Sequence, residues 1–299
     1  KAFSPGEIDM AGWALPVQVQ NQLVGNPKFT VQRDNVPEAW IVVVNNKKPP
    51  FDDPAVRKAV SSVYDWKTVT QHILGGGTEL RGPVPASLLG GKCDGIEAFP
   101  FDIEKGKQYL AQSKYSAEDL KKFNISIAAV AGSERFKNIA LMLATNMKKI
   151  GLNAEVKSVR WTEMVQSQTT PDSAYHLAVF YEGAKYPDPN VLLVYYMRDG
   201  WGDAFTPGGM YYENPQASKL INEARNSTDI ATQRRLYCDA SRLIAADAPS
   251  IFSHNGERIS SRWSYVSGLN PGVGALFYDV RFENWKVDVN SPDYRANRR

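Results

Sequence analysis

"NISIAAVAGSERFKNIALMLATNMKKIGLNAEVKSV", Asn124 to Val159, changes hydrophobic period twice. Asn124–Val130 is a short apolar run that reads as a strand, and Ala131-Gly132-Ser133 reads as a turn. Phe136, Ile139, Ala140, Leu143, Met147 and Ile150 then recur at helical spacing, Gly151 closes that helix, and Ala154–Val159 reads as a second strand. Strand, helix and strand in that order imply parallel strands joined by a crossover, hence an α/β sheet. His176–Tyr181 supplies a further buried strand. "YEGAKYPDP", Tyr181–Pro189, follows its carboxyl end, as Ala131–Arg135 follows the first. Ligands of open α/β sheets bind beyond those ends, so the two loops are expected to face one crevice.

Working outward, Trp40–Val44 is an apolar, β-branched run expected to form a buried strand. Asp53 and Pro54 mark a helix start, and the Val56, Ala59, Val60, Val63 stripe predicts a helix continuing to Leu74 and ending at Gly75. Residues 81–102 read as loop, with helices expected near 103–110 and from Ser116, and a helical or loop stretch at 161–168. Two more helical stripes, through Ala217–Ala224 and Leu236–Ile244, precede Pro249 and a second crossing strand at Ser250–His254. A β and loop tail rich in aromatic residues closes the chain.

Composition narrows the function classes. With 43% hydrophobic and 22% charged residues the chain is an ordinary globular sequence, not a disordered one. A net charge of +3 without basic blocks argues against nucleic acid as a partner. No apolar run approaches the length needed to span a bilayer. The first ten residues lack the apolar core of a signal peptide, as expected of a mature or cleaved chain. Cys93 and Cys238 are compatible with one disulfide in an oxidising compartment or with two buried thiols. The three histidines have no metal-ligand spacing, so neither a metal nor a cofactor is expected.

Val44-Asn-Asn-Lys-Lys-Pro-Pro-Phe51-Asp-Asp-Pro-Ala-Val56-Arg57-Lys-Ala59, then Tyr64-Asp65, resembles a signature of the dipeptide/oligopeptide (family 5) solute-binding proteins of ABC importers. Gly6-Glu7-Ile8-Asp9, Gly82-Pro83-Val84-Pro85, Met147–Leu152, Tyr186-Pro-Asp-Pro189, Arg234–Tyr237 and Ala246–Pro249 resemble further family elements in the same order. The resemblance covers the C-terminal portion of the family's length. It implies a periplasmic-binding-protein type II fold, comprising most of the second lobe and the C-terminal part of the first. Residues 1–45 would belong to lobe one and the first hinge crossing, 46–255 to lobe two, and 256–299 to the return into lobe one. The crossings themselves would lie at Val42–Asn46 and Phe252–Asn255. The implied protein is a periplasmic or extracytoplasmic receptor, a monomer whose signal peptide has been removed. Its implied partners are a small-molecule solute, a membrane ABC permease and the missing N-terminal portion.

Peptide-binding members commonly carry aspartate just before the aromatic of "YPDP", where it pairs with the peptide ammonium. Here that position is Lys185. A cation favours carboxylate, phosphate or hydroxyl-rich groups instead, unless it is simply a solvated loop lysine. Tyr181 and Tyr186 would stack on a ligand or pack the loop. Arg135 follows the first crevice loop at a helix start, near the family's carboxylate-binding arginine; the alternative is a surface arginine. The resemblance also places Arg198, Trp201 and Trp13 at the cleft, with Asn255 at the hinge. Gly75-Gly76-Gly77 lacks the GK[ST] of a phosphate loop and reads as a helix stop. His254 and Asp247 lack a nucleophile motif and read as structural.

The expected function is therefore a receptor closing two lobes on a peptide-like, opine-like or oligosaccharide-like solute with an anionic or polyhydroxyl part. A ligand-sensing domain of a transcriptional regulator is the alternative, and an enzyme is the weakest reading.

Overall fold

The computed structural model describes residues 7–11, 15, 17–203, 208–268 and 282–297, with nothing stated for the side chain of Phe282. In chain order the elements are β1 (Met10–Ala11), α1 (Val17–Leu23), β2 (Phe29–Val44), α2 (Pro54–Ser62), α3 (Trp66–Thr68), β3 (Thr78–Glu79), α4 (Ile103–Leu110) and α5 (Ala117–Lys122). They continue with β4 (Ile125–Val130), α6 (Glu134–Lys149), β5 (Ala154–Val159), α7 (Trp161–Ser167), β6 (Leu177–Gly183), α8 (Asn190–Leu193), α9 (Pro215–Asn226) and α10 (Ile230–Asp247). Last come β7 (Ser250–Trp263), β8 (Val266–Ser267), β9 (Lys286–Val287) and α11 (Pro292–Asn297).

One sheet runs in the order β1-β7-β2-β6-β4-β5, with β3 also paired to β7. β4 pairs parallel with both β5 and β6, as the Asn124–Val159 pattern requires. β2 is antiparallel to β6 and to β7. Both faces are covered, so the central strands are apolar on both sides. On one face α2 and α6 pack Val56, Val60, Ile139, Leu143 and Met147 against Val42, Ile127 and Val179. On the other, α7 to α10 bring Met164, Tyr196, Ile221, Tyr237 and Ile244 against Ile41, Val43 and Phe180.

The helix expected from Asp53 to Leu74 is two. Asp53 caps α2 by accepting from the Ala55 amide at 2.9 Å, but α2 ends at Ser62. Asp65 then accepts from the Thr68 amide at 3.1 Å and starts α3, which continues as a wide turn through Val69–Leu74. An aspartate in mid-pattern competes for backbone amides and restarts the helix. Gly75 (φ +77°) ends it, and a side chain at Gly76 would collide with the Glu257 carboxylate. The triplet is thus a stop packed against β7.

β2 and β7 are both longer than the sequence pattern indicates. β2 starts at Phe29 and β7 continues to Trp263. Their ladder runs from Phe29↔Trp263 to Asn35↔Glu257, then resumes at Ala39↔Asn255. Val36, Pro37 and Glu38 therefore oppose Gly256 alone, a bulge that a proline without an N–H tolerates. Val42–Val44, expected near a crossing, lie well inside the sheet.

Cys93 and Cys238 form a disulfide with Cα atoms 5.5 Å apart, tying the 81–96 loop to α10. That resolves the two readings in favour of the bridge.

Candidate functional site

β4, β5 and β6 end at Val130, Val159 and Gly183, and the antiparallel ladder brings Glu38 opposite Gly183. The crevice end of the sheet therefore also carries the Val36–Glu38 bulge between β2 and β7. Trp40 is its centre. It is the cross-strand neighbour of Tyr181 on one side and of His254 on the other. Its ring stacks on Tyr181 at 4.8 Å and on His254 at 5.3 Å, with Phe136 of α6 tilted against it at 5.4 Å. His254 is buried and its pKa is pushed down to about 3 by desolvation, so it sits in this stack neutral. Its Nδ1 meets the Ser253 hydroxyl at 2.7 Å.

Glu38 lies beneath the stack, 7% exposed, with its carboxylate accepting from the Trp40 indole N–H. Burial raises its pKa to about 7, against the lowering effects of the Trp40 bond, Arg258 and Arg135. Its folded pKa exceeds its unfolded value, so the contribution is fully favourable below about 4.5 and is lost as pH rises through about 7. The shift corresponds to about 3 kcal/mol. Glu38→Gln is therefore expected to stabilise the protein by up to about 3 kcal/mol at pH 8 and by little at pH 5, read from urea unfolding at both pH values. Equal effects at the two pH values would show that Glu38 is not held protonated.

Arg135 is the second residue of α6, whose N-cap Ser133 makes no side-chain cap bond. Its Nη2 donates to the Leu15 carbonyl at 2.8 Å. Burial lowers its pKa and Glu38 opposes that lowering. Arg135, Glu38, Trp40, His254, Glu257 and Arg258 line a small space of about 30 Å³. Beside the same bulge is a cavity of about 960 Å³, lined among others by Pro37, Leu80, Leu88, Pro187 and Asn255.

Lys185 lies beyond the end of β6, 44% exposed, with its Nζ 3.4 Å from the nearly buried Glu182 carboxylate. Desolvation raises the Glu182 pKa and Lys185 opposes it. The lysine is neither an unpartnered crevice cation nor a freely solvated one. Tyr186 is 45% exposed and its hydroxyl accepts weakly from Asn190 at 3.4 Å. Asn255 sits on β7 opposite Ala39 and Thr78. Its Nδ2 donates to the Gly256 carbonyl at 3.3 Å, and its Oδ1 is buried without a hydrogen bond.

The structure thus gathers Tyr181, Lys185, Tyr186, Arg135 and Asn255 at one end of the sheet. Arg198 and Trp201 are elsewhere. The Trp201 Nε1 donates to the Tyr212 carbonyl at 2.8 Å, and Lys47 and Arg198 each lie 5.5 Å from its ring. Lys47 follows Val44, which pairs with the amino end of β6, so this group sits at the opposite end of the strands. α8 and the turns after it lie between the end of β6 and this group. Trp13 lies outside the described residues. Glu38, Glu182 and the 41% exposed Trp161, which starts α7 directly after β5, are crevice-end residues that sequence reading did not single out.

A family model described as bacterial extracellular solute-binding proteins, family 5, middle region, matches residues 1–204. The chain belongs to this family. Family 5 membership places it outside the cytoplasm, and no described helix is long and apolar enough to cross a membrane. It is 25% identical over 253 residues to the probable D,D-dipeptide-binding periplasmic protein DdpA of Escherichia coli (strain K12), covering 84% of this chain and 47% of that one. It is also 25% identical over 227 residues to heme-binding protein A of Haemophilus influenzae, covering 76% and 41%. The periplasmic binding protein DppA of Helicobacter pylori, solved with the peptide STSA, superposes with a TM-score of 0.84 at 21% identity, over 96% of this chain and 54% of that one. The family 5 α/β fold is therefore shared. The chain spans about half the length of the curated relatives it matches.

Proposed function

We propose that this chain is the C-terminal portion of a solute-binding receptor that closes two lobes on a peptide-class ligand and delivers it to a membrane ABC permease. Residues 46–255 form most of one lobe. Residues 1–45 hold part of the other lobe and the first crossing, and 256–299 return into that lobe, together with a preceding portion of the same protein. The bulge at Val36–Glu38 opposite Gly256 serves as the crossing about which the lobes rotate. The relatives named above are binding proteins by description, which supports a receptor over an enzyme. An opine or an oligosaccharide has no counterpart among them.

The observation that carries the ligand reading is the pairing of two cations with an aromatic wall at one sheet end. Arg135 starts α6 beyond β4 and Lys185 follows β6, at the sheet end where Tyr181 stacks on Trp40, and of the two cations Lys185 is the one with an acid within ion-pair distance. Such a site favours a carboxylate over a second ammonium. Calorimetry on the intact protein with Ala-Ala and acetyl-Ala-Ala tests this. The wild type is expected to bind the acetylated peptide at least as tightly as the free amine. Lys185→Asp, which leaves Glu182 beside a second acid, is expected to reverse that preference by roughly tenfold. An unchanged ratio would remove Lys185 from the site.

A further inference from the structure

Among the described residues, Glu38 is the acid buried directly under the Trp40 stack, and its surroundings are asymmetric. From its own strand the Trp40 indole donates to it. From α6 it faces Arg135, from β7 Arg258, Glu257 and His254, and from β6 Glu182. His254 is neutral and Glu182 is held by Lys185. Arg135 is within electrostatic reach of Glu38, yet the hydrogen bond it makes is to the Leu15 carbonyl. The guanidinium is therefore balanced between a buried acid below and whatever arrives from the crevice above.

We propose that Glu38 is a positioning residue for Arg135: docking of a ligand carboxylate on Arg135 draws a proton from solvent onto the Glu38 carboxylate, so anion capture is coupled to proton uptake. The inference rests on the reading of Arg135 as the anion-binding cation. Its physical basis is charge balance in a poorly hydrated space. A ligand carboxylate takes up the field of Arg135, and the ionised Glu38 then faces a like charge with less compensation. Protonation removes that repulsion, and the Trp40 N–H keeps an acceptor on the neutral acid. The coupling is reciprocal, so a protonated Glu38 raises anion affinity by the same factor. A carboxyl that already titrates near neutral pH is suited to this exchange. A ligand lacking a carboxylate leaves Glu38 unaffected.

The test is calorimetry of the intact protein with acetyl-Ala-Ala and its C-terminal amide, at pH 7 in phosphate and in Tris, whose ionisation enthalpies differ. The wild type is expected to take up about half a proton with the acid and none with the amide. Affinity for the acid is expected to fall up to about tenfold from pH 6 to pH 8. Glu38→Gln retains the acceptor for Trp40 and should abolish both effects. Arg135→Gln should weaken the acid at every pH while sparing the amide. Absence of proton uptake in the wild type, or its persistence in Glu38→Gln, overturns the coupling and leaves the anion reading standing. An unchanged affinity in Arg135→Gln, or no binding of acetyl-Ala-Ala to the wild type, overturns the anion reading and the coupling with it. The wild-type buffer comparison needs no variant, so it decides the matter even if one fails to fold.

Discussion

Replacing Arg57 with methionine is expected to lower the stability of the protein by about 4 kcal/mol. The side chain is 6% exposed and sits on α2, at the amino end of the central strands. Its Nη1 donates to the Phe51 carbonyl at 2.9 Å and its Nη2 to the Asp247 carbonyl at 3.0 Å, while Nε reaches both Asp247 and Ala248 at 3.3 and 3.2 Å. Asp247 ends α10, and Ala248 adopts a left-handed φ of +47° that a residue with a Cβ takes up at a cost. Arg57 therefore satisfies carbonyls that the helix leaves without partners and supplies a cation at its negative pole. Methionine fills the volume but strands those carbonyls. Lysine, a single point donor, is expected to recover about half of the loss. Urea unfolding of the three forms gives the comparison; a loss below about 1 kcal/mol in the methionine variant would mean that the carbonyls find water instead.

Removing the Cys93–Cys238 bridge is expected to cost about as much, near 4 kcal/mol, by releasing a cross-link between residues 145 apart in sequence. The Cys93→Ser, Cys238→Ser double variant and the reduced wild type should coincide in a denaturant titration, both well below the oxidised protein. The bridge fastens the loop that lines the large cavity to α10, so amides between 85 and 96 should exchange faster in both. Equal stability of oxidised and reduced protein would overturn the expectation.

Residues that carried the family resemblance fasten distant parts of the chain to one another. Arg57 of the first motif binds the carbonyls of Asp247 and Ala248 in the last. Asp188 of "YPDP" accepts from Tyr237 of the Arg234–Tyr237 motif at 3.0 Å. Asn46 reaches the Pro249 carbonyl at 2.9 Å. Spacing in sequence is visible because packing demands it, which is why the sheet and its crevice end were legible. The amino half of β2 was not, since Thr30–Pro37 is polar and carries a proline, and its partner lies more than two hundred residues away. Nor was the Glu182 partner of Lys185, which depends on how the chain turns after β6. The packing of Arg198 and Lys47 around Trp201 was not legible in "NVLLVYYMRDGW" either, because it depends on the turns that follow α8.

β2 and β7 lie side by side, with Val43 opposite Ser250, although the whole of residues 45–249 separates them along the chain. At about 5–20 residues per second of synthesis, β7 follows β2 by roughly 10–40 seconds. During that interval β6 can already zip onto one edge of β2, while the other edge waits bare. The main sheet is therefore closed by its last strand, after every helix from α1 to α10 has left the ribosome.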